Sequence, residues 1–207
     1  MVRLVVKAII FDYYGVMCPR IVPCLSQKTA EQFNSPYKKV RLLMDELLDK
    51  MDEDKLSFRD YWKSLKTKLK NKEVKLSDHH KIWKSCALEL NLWLQMTNLV
   101  KKLKKQNYIV PVLTNVTKTM VKYNRIKGRY KLFKPVFLSC YIGLRKPSPA
   151  IFRYVLKKMK LKPNECIFID DNKTYLRGAR IVGMKTILFK NYSQTVNELG
   201  GYGVNGI

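Results

Sequence analysis

Acidic residues are scarce in this chain: 16 Asp+Glu stand against 41 Lys+Arg in 207 residues, a formal net charge of +25. From Leu90 to Asn164 there is no acid at all, while 18 Lys/Arg fall in the same 75 residues. Long apolar runs are missing too. None approaches the roughly 20 residues a membrane-spanning helix needs, so no membrane partner is expected. The run Val5–Phe11 is broken by Lys7 and has no small-residue cleavage site after it, which argues against a secretory leader. The five cysteines (Cys18, Cys24, Cys86, Cys140, Cys166) are odd in number and contain no Cys-x-x-Cys pair. A reduced, cytoplasmic protein is the simplest expectation. No internal repeat or low-complexity linker interrupts the chain.

Hydrophobic residues make up 46% and aromatics 11%, enough over this length for one sizeable core with a small appended unit. Seven of the 16 acids crowd into Asp45–Asp60. The basic excess has two readings. One is a surface for nucleic acid; the other, preferred, is a compositional background rich in Lys, Asn, Tyr and Ile.

Short apolar runs flanked by turn signals occur at Val5–Phe11, Ile109–Leu113, Val136–Leu138, Cys166–Ile169 and Thr186–Phe189. Each suits a strand buried on both faces of a parallel sheet. Pro111 removes a ladder donor from the second, so a local distortion, at an edge or a bulge, is expected there. Helical periods lie between the runs. Thr97 is placed to cap a helix through Leu99, Val100 and Leu103, and Ser148-Pro149 opens another through Ile151, Phe152 and Val155. This alternation predicts an α/β fold with a doubly wound, Rossmann-like parallel sheet. The stretch from Pro19 to Trp93 differs. It holds helical patterns at Val40–Met51, Phe58–Leu69 and Ile82–Leu90, with Ser57 and Ser77 as candidate caps and no convincing strand. The predicted division is a core of residues 1–17 and 94–207 with a small all-helical unit over 18–93.

Polar clusters follow three of the apolar runs: Asp12, then Thr114-Asn115, then Asp170-Asp171-Asn172. Carboxyl ends of strands in an open parallel sheet converge on one crevice, where ligands bind. Lys146, at the entry to a helix, can reach the same place. Converging carboxylates repel one another unless a cation sits between them. Oxygen-only ligands select a hard ion such as Mg²⁺, and a Lys and a Thr hydroxyl are suited to phosphate oxygens. The set fits phosphoryl transfer. Taken singly, each strand-end Asp can equally be a helix cap.

With these residues in order, the sequence resembles the haloacid dehalogenase-like superfamily over nearly its whole length. The matching segments are Asp12-Tyr13-Tyr14-Gly15-Val16, Val112-Leu113-Thr114-Asn115, Lys146-Pro147-Ser148-Pro149 and Phe168-Ile169-Asp170-Asp171-Asn172, the last followed by Gly178-Ala179 and Gly183-Met184. The helical insert after the first segment is similar to the cap of the first subfamily. The resemblance implies a hydrolase, most simply a Mg²⁺-dependent phosphomonoesterase. It makes Asp12 the nucleophile and gives phosphoryl binding to Thr114 and Lys146, with Asn115 beside Thr114 counted among the catalytic residues. The cation would fall to Asp12, the Tyr14 backbone carbonyl and Asp171, with Asp170 beside them. The partner it implies is a small phosphorylated or otherwise anionic substrate.

Tyr14 departs from the phosphatase pattern, which carries an acid–base Asp there. A phenol with pKa near 10 is a poor base at neutral pH, so slow hydrolysis is expected unless another group serves. A tyrosine there is also similar to the metal-independent 2-haloacid dehalogenases. Against that stand the paired acids Asp170-Asp171, Phe152 where those enzymes carry a tyrosine, and Val16 in place of a threonine; Arg41 is a possible match for their carboxylate-binding arginine. A third alternative is a catalytically impaired binding protein, which Tyr14 and Tyr175 favour. Three further expectations concern the insert: His79-His80 as a solvated helix turn, Trp62, Trp83 and Trp93 as its core, and Cys18 as solvent-reachable. The seven clustered acids are expected to face the basic core.

Overall fold

A computed structural model describes residues 5–71 and 73–207. Five strands, β1 (Ala8–Phe11), β2 (Val112–Thr114), β3 (Val136–Leu138), β4 (Cys166–Asp170) and β5 (Lys185–Leu188), form one sheet of order β3-β2-β1-β4-β5. Every pairing is parallel. The expected α/β class with a doubly wound sheet is what the chain adopts. Helices α1 (Val22–Gln32), α2 (Tyr37–Asp52), α3 (Phe58–Leu69) and α4 (Leu76–Glu89) lie between β1 and α5 (Leu94–Lys105). Then α6 (Lys118–Ile126), α7 (Ser139–Ile142), α8 (Pro149–Met159), α9 (Lys173–Ile181) and α10 (Tyr192–Gly201) alternate with the later strands.

The period of two along a strand sorts the core. Ile9 and Phe11 of β1, with Ile167 and Ile169 of β4, pack into one cluster that runs on into the helical insert. Ala8, Ile10, Cys166 and Phe168 face the opposite way, against α8 and α9 through Ile151, Phe152, Val155 and Leu176. No helix among the described residues is long and apolar enough to cross a membrane.

Pro111 does interrupt its strand, but at neither an edge nor a simple bulge. β2 lies between β1 and β3, and the pairing continues across the break: Ile109 N–H donates to Lys7 O, and the Ile9 and Phe11 N–H groups donate to the Ile109 and Pro111 oxygens, at 3.0 Å each. An acceptor is all a proline can offer. Ser57, Ser148 and Asn172 cap α3, α8 and α9 by accepting from Asp60, Ala150 and Thr174 N–H groups. Thr97 and Ser77 do not cap. They lie inside α5 and α4, which begin earlier with no side-chain cap. Helix α1 left little trace in the apolar pattern because Ser26 and Thr29 share its buried face with Leu25 and Ala30.

Four expectations for the insert are corrected. Cys24 of α1 and Cys86 of α4 form a disulfide across 62 residues, Cα–Cα 6.2 Å, so the cysteines are not all reduced. Helix packing, not local spacing, brings the two together. Cys18 is buried, 1% exposed. His79 is wholly buried rather than solvated: its Nε2 accepts from Trp83 Nε1 (3.3 Å), which leaves Nδ1–H to donate to Gln32 Oε1 (2.9 Å). Burial holds His79 neutral, its pKa lowered to about 4. Trp83 is core, but Trp93 is 38% exposed and stacks on Phe189.

Candidate active site

Asp12 follows β1, and its N–H donates to Ile169 O of β4 at 2.9 Å, which ties the first strand end to the fourth. Asp170 ends β4; its Oδ1 accepts from Asn172 N–H (2.8 Å). Asp12, Asp170 and Asp171 each offer a carboxylate oxygen, all within 4.8 Å of one another. Gly15 permits this approach. At φ +94°, a Cβ there would lie 2.1 Å from Asp171 Oδ2, so only glycine leaves room for the carboxylate against the loop after Asp12.

Lys146 enters from the loop before α8. Its ammonium donates to Asp12 Oδ1 and Asp170 Oδ2 at 2.7 Å each, and only 1% of the side chain is exposed. Asn115 holds the loop: its amide donates to Lys146 O and its Oδ1 accepts from Lys146 N–H, both at 2.9 Å. Gly178 of α9 packs directly on the same loop, where a Cβ would meet Pro147 O at 2.0 Å. The ammonium also lies 4.9 Å from the Tyr175 ring and 5.2 Å from that of Phe168. An aromatic face thus stands beside the lysine.

One ammonium faces two buried carboxylates, so negative charge is left over. Burial pushes Asp12 up from the ordinary carboxylate range, against the pull of Lys146. Burial likewise raises Asp170, to about 7, with Asp12 adding to the rise. The two carboxylates hold Lys146 firmly protonated, offsetting its own burial. Asp171, more exposed, pairs with Arg20 Nε at 2.7 Å. A donor set of carboxylate oxygens with excess negative charge is the chemistry of a hard divalent cation site. The residues present fit such an ion.

Tyr14 turns away from this chemistry. Its hydroxyl accepts from Asn124 Nδ2 at 2.8 Å, and Asn124 is itself held by Arg129 and Tyr130. Burial drives the phenol well above 10. Phe152 lies in the core beyond the site, ring centroid 5.3 Å from that of Phe168.

Above these residues lies a cavity of about 490 Å³ bounded by Asp12, Tyr14, Thr114, Asn115, Lys146 and Asp171 below and by α1, α2 and α4 above. Trp83 and Leu48 supply apolar wall. Arg20, Asp45, Asp49, Asp52 and Arg145 line it as well; the three acids belong to the cluster expected to face the core, but none of the five is a site residue in the sequence reading. The acids at 45, 49 and 52 recur at helical spacing on one face of α2, a signal available in the sequence. Arg41 does reach the cavity, but it is paired with Asp45 at 2.9 Å. Asp49 pairs with Arg145, and Asp54 with Lys118 at 2.6 Å, so part of the acidic cluster does meet the basic core.

The sequence model of the haloacid dehalogenase-like hydrolases matches residues 6–183. A 61-residue stretch is 44% identical to rat bifunctional epoxide hydrolase 2, covering 30% of this chain and 11% of that protein. Flavin mononucleotide hydrolase 1 of Arabidopsis thaliana is 31% identical over 113 residues, 53% of this chain and 45% of that one. The chain spans between about a tenth and about half the length of the curated relatives it matches. Among solved structures, a HAD family enzyme of Bacteroides thetaiotaomicron superposes with TM-score 0.73 at 21% identity, over 90% of this chain and 94% of that one. The same enzyme is known in complex with magnesium and inorganic phosphate. The L-2-haloacid dehalogenase of Xanthobacter autotrophicus shares the fold at TM-score 0.63 and 15% identity, over 97% and 85%.

Proposed function

The chain belongs to the haloacid dehalogenase-like hydrolases, and from that premise we propose that it is a Mg²⁺-dependent phosphomonoesterase working through an aspartyl phosphate on Asp12. Residues 18–93 serve as a helical cap over a core of 1–17 and 94–207. The observation that carries this reading is the cluster of Asp12, Asp170 and Asp171 with Lys146 set between the first two. Carbon–halogen hydrolysis by a lone Asp has no use for three converging carboxylates.

Asp12, Asp171 and the Tyr14 carbonyl would hold Mg²⁺, with Asp170 fixing Lys146 beside them. Bound there, the ion would neutralise the carboxylates and draw charge from the phosphoryl oxygens. Asp12 Oδ attacks phosphorus, and the Lys146 ammonium and Thr114 hydroxyl bind oxygens of the transferring group. Asn115 keeps the Lys146 backbone in place. Water then releases phosphate and regenerates the Asp12 carboxylate. The cavity's size and mixed lining suit a small phosphate monoester.

The test is hydrolysis of 4-nitrophenyl phosphate with Mg²⁺ or with EDTA, by the protein and its Asp12→Asn variant. Turnover that needs the metal and disappears in the variant supports the reading. Chloride release from 2-chloropropionate without metal overturns it in favour of the dehalogenase. Mg²⁺-dependent binding of beryllofluoride with no turnover overturns it in favour of a binding protein.

A further inference from the structure

Asp52, the last residue of α2, differs from every other carboxylate lining the cavity. Asp12 has Lys146, Asp45 has Arg41, Asp49 has Arg145 and Asp171 has Arg20. Asp52 has neither an ion pair nor a hydrogen bond among the described residues, although it is half-buried and lines the same cavity as Asp12 and Thr114. It also sits at a helix C-terminus, where the backbone dipole opposes a negative charge. Tyr14 leaves the site without the acid–base that hydrolysis needs, because its hydroxyl is held by Asn124.

We propose that Asp52 is a catalytic residue, the acid–base of this site, supplied by the helical insert in place of Tyr14. This rests on the phosphomonoesterase reading above. As Asp12 Oδ bonds to phosphorus, the P–O bond to the alcohol breaks, and the departing oxygen takes the Asp52 carboxyl proton. Alcohol leaves, and Asp52 becomes a carboxylate. Water then attacks the aspartyl phosphate; its proton goes to Asp52 and its hydroxyl to phosphorus. The Asp12–phosphorus bond breaks, inorganic phosphate departs, and both Asp residues return to their starting states.

The surroundings keep a proton available near neutral pH. Burial raises the Asp52 carboxyl to about 7, and Asp49 on its own helix and Glu53 just past the helix end push the same way. Arg145 and Lys146, on the loop opposite, moderate the rise. Cys140 of α7, also close by, is a buried thiol raised to about 11 and uncharged at neutral pH.

A general acid matters most for a poor leaving group. Asp52→Asn is therefore expected to lower kcat/KM for an alkyl phosphate such as glycerol 2-phosphate by on the order of 10²–10⁴. With 4-nitrophenyl phosphate the leaving group needs no proton. The variant should release one nitrophenolate per enzyme in a burst, then turn over slowly, with a phosphoryl group trapped on Asp12 by acid quench. Asp52→Glu should recover much of the alkyl phosphate rate. If Asp52→Asn does not fold, Asp52→Ser set against Asp52→Glu makes the same comparison. Equal loss on both substrates with no burst, or rates matching the unmodified protein, overturns the role of Asp52. Full turnover by Asp12→Asn, or none by the unmodified protein on either substrate, overturns the phosphomonoesterase reading itself and Asp52 with it.

Discussion

Replacing Lys146 by Met is the perturbation that most cleanly separates a lysine kept for substrate from one that also holds the fold. The ammonium is 1% exposed and makes two 2.7 Å contacts with Asp12 and Asp170, whose side chains are 8% and 0% exposed. Methionine keeps most of the buried volume, so little cavity term arises. Two buried carboxylates are left without their cation, a change that costs about 3–5 kcal/mol. For a chain of this length that is a fall in Tm of about 6–20 °C, since each kcal/mol shifts it by about 2–4 °C. Urea or thermal unfolding without Mg²⁺ measures it. The deficit should shrink as pH is lowered from 8 to 5. Carboxyls raised in the folded state bind more protons than the unfolded chain does, so the variant gains stability as they protonate. Adding Asp170→Asn should recover part of the loss. A Lys146→Met protein as stable as its parent, or more so, refutes the reasoning and leaves the lysine as a substrate ligand only.

Gly15→Ala should disturb the proposed Mg²⁺ site more than the fold. A Cβ 2.1 Å from Asp171 Oδ2 must displace that carboxylate, and the positive φ adds about 1 kcal/mol or more of strain; Mg²⁺ titration by calorimetry should show weakened binding, and unchanged affinity contradicts the placement. Gly178→Ala pushes on Pro147 O and so on the Lys146 loop, and should lower kcat even where far-UV circular dichroism is unchanged. His79 gives a pH signature. Its folded pKa lies near 4, below the unfolded 6.5, so its contribution is present above 6.5 and lost as pH falls through 4, about 3 kcal/mol in all. His79→Gln should remove that part of the acid dependence in urea titrations, and an identical pH profile for the two proteins would show that His79 is not the group responsible.

The strands were legible because a sheet buried on both faces leaves continuous apolar runs, and each of the five runs holds a strand. Asp12, Thr114, Asn115, Asp170 and Asp171 were legible because parallel topology brings strand ends together, and Lys146 because a helix entry faces the same crevice. What escaped the sequence depends on packing between distant segments. Cys24 and Cys86 meet only because α1 lies on α4. Arg20 and Arg145 mean nothing until Asp171 and Asp49 stand opposite them. His79 reads as polar until Gln32 and Trp83 supply both its partners. The acids of α2 were visible as a cluster, but their helical spacing places three of them over the cavity, where the unpaired Asp52 differs from its neighbours.

In the proposed reaction Asp12 carries the phosphoryl group. Mixing the protein with 4-nitrophenyl phosphate and Mg²⁺, quenching in acid within a turnover and mapping the modified peptide by mass spectrometry tests it most directly. One phosphoryl group is expected, on the peptide holding Asp12, absent with EDTA and absent in Asp12→Asn. Product formation with no phosphorylated Asp12 peptide at any quench time, together with turnover by Asp12→Asn, would contradict it.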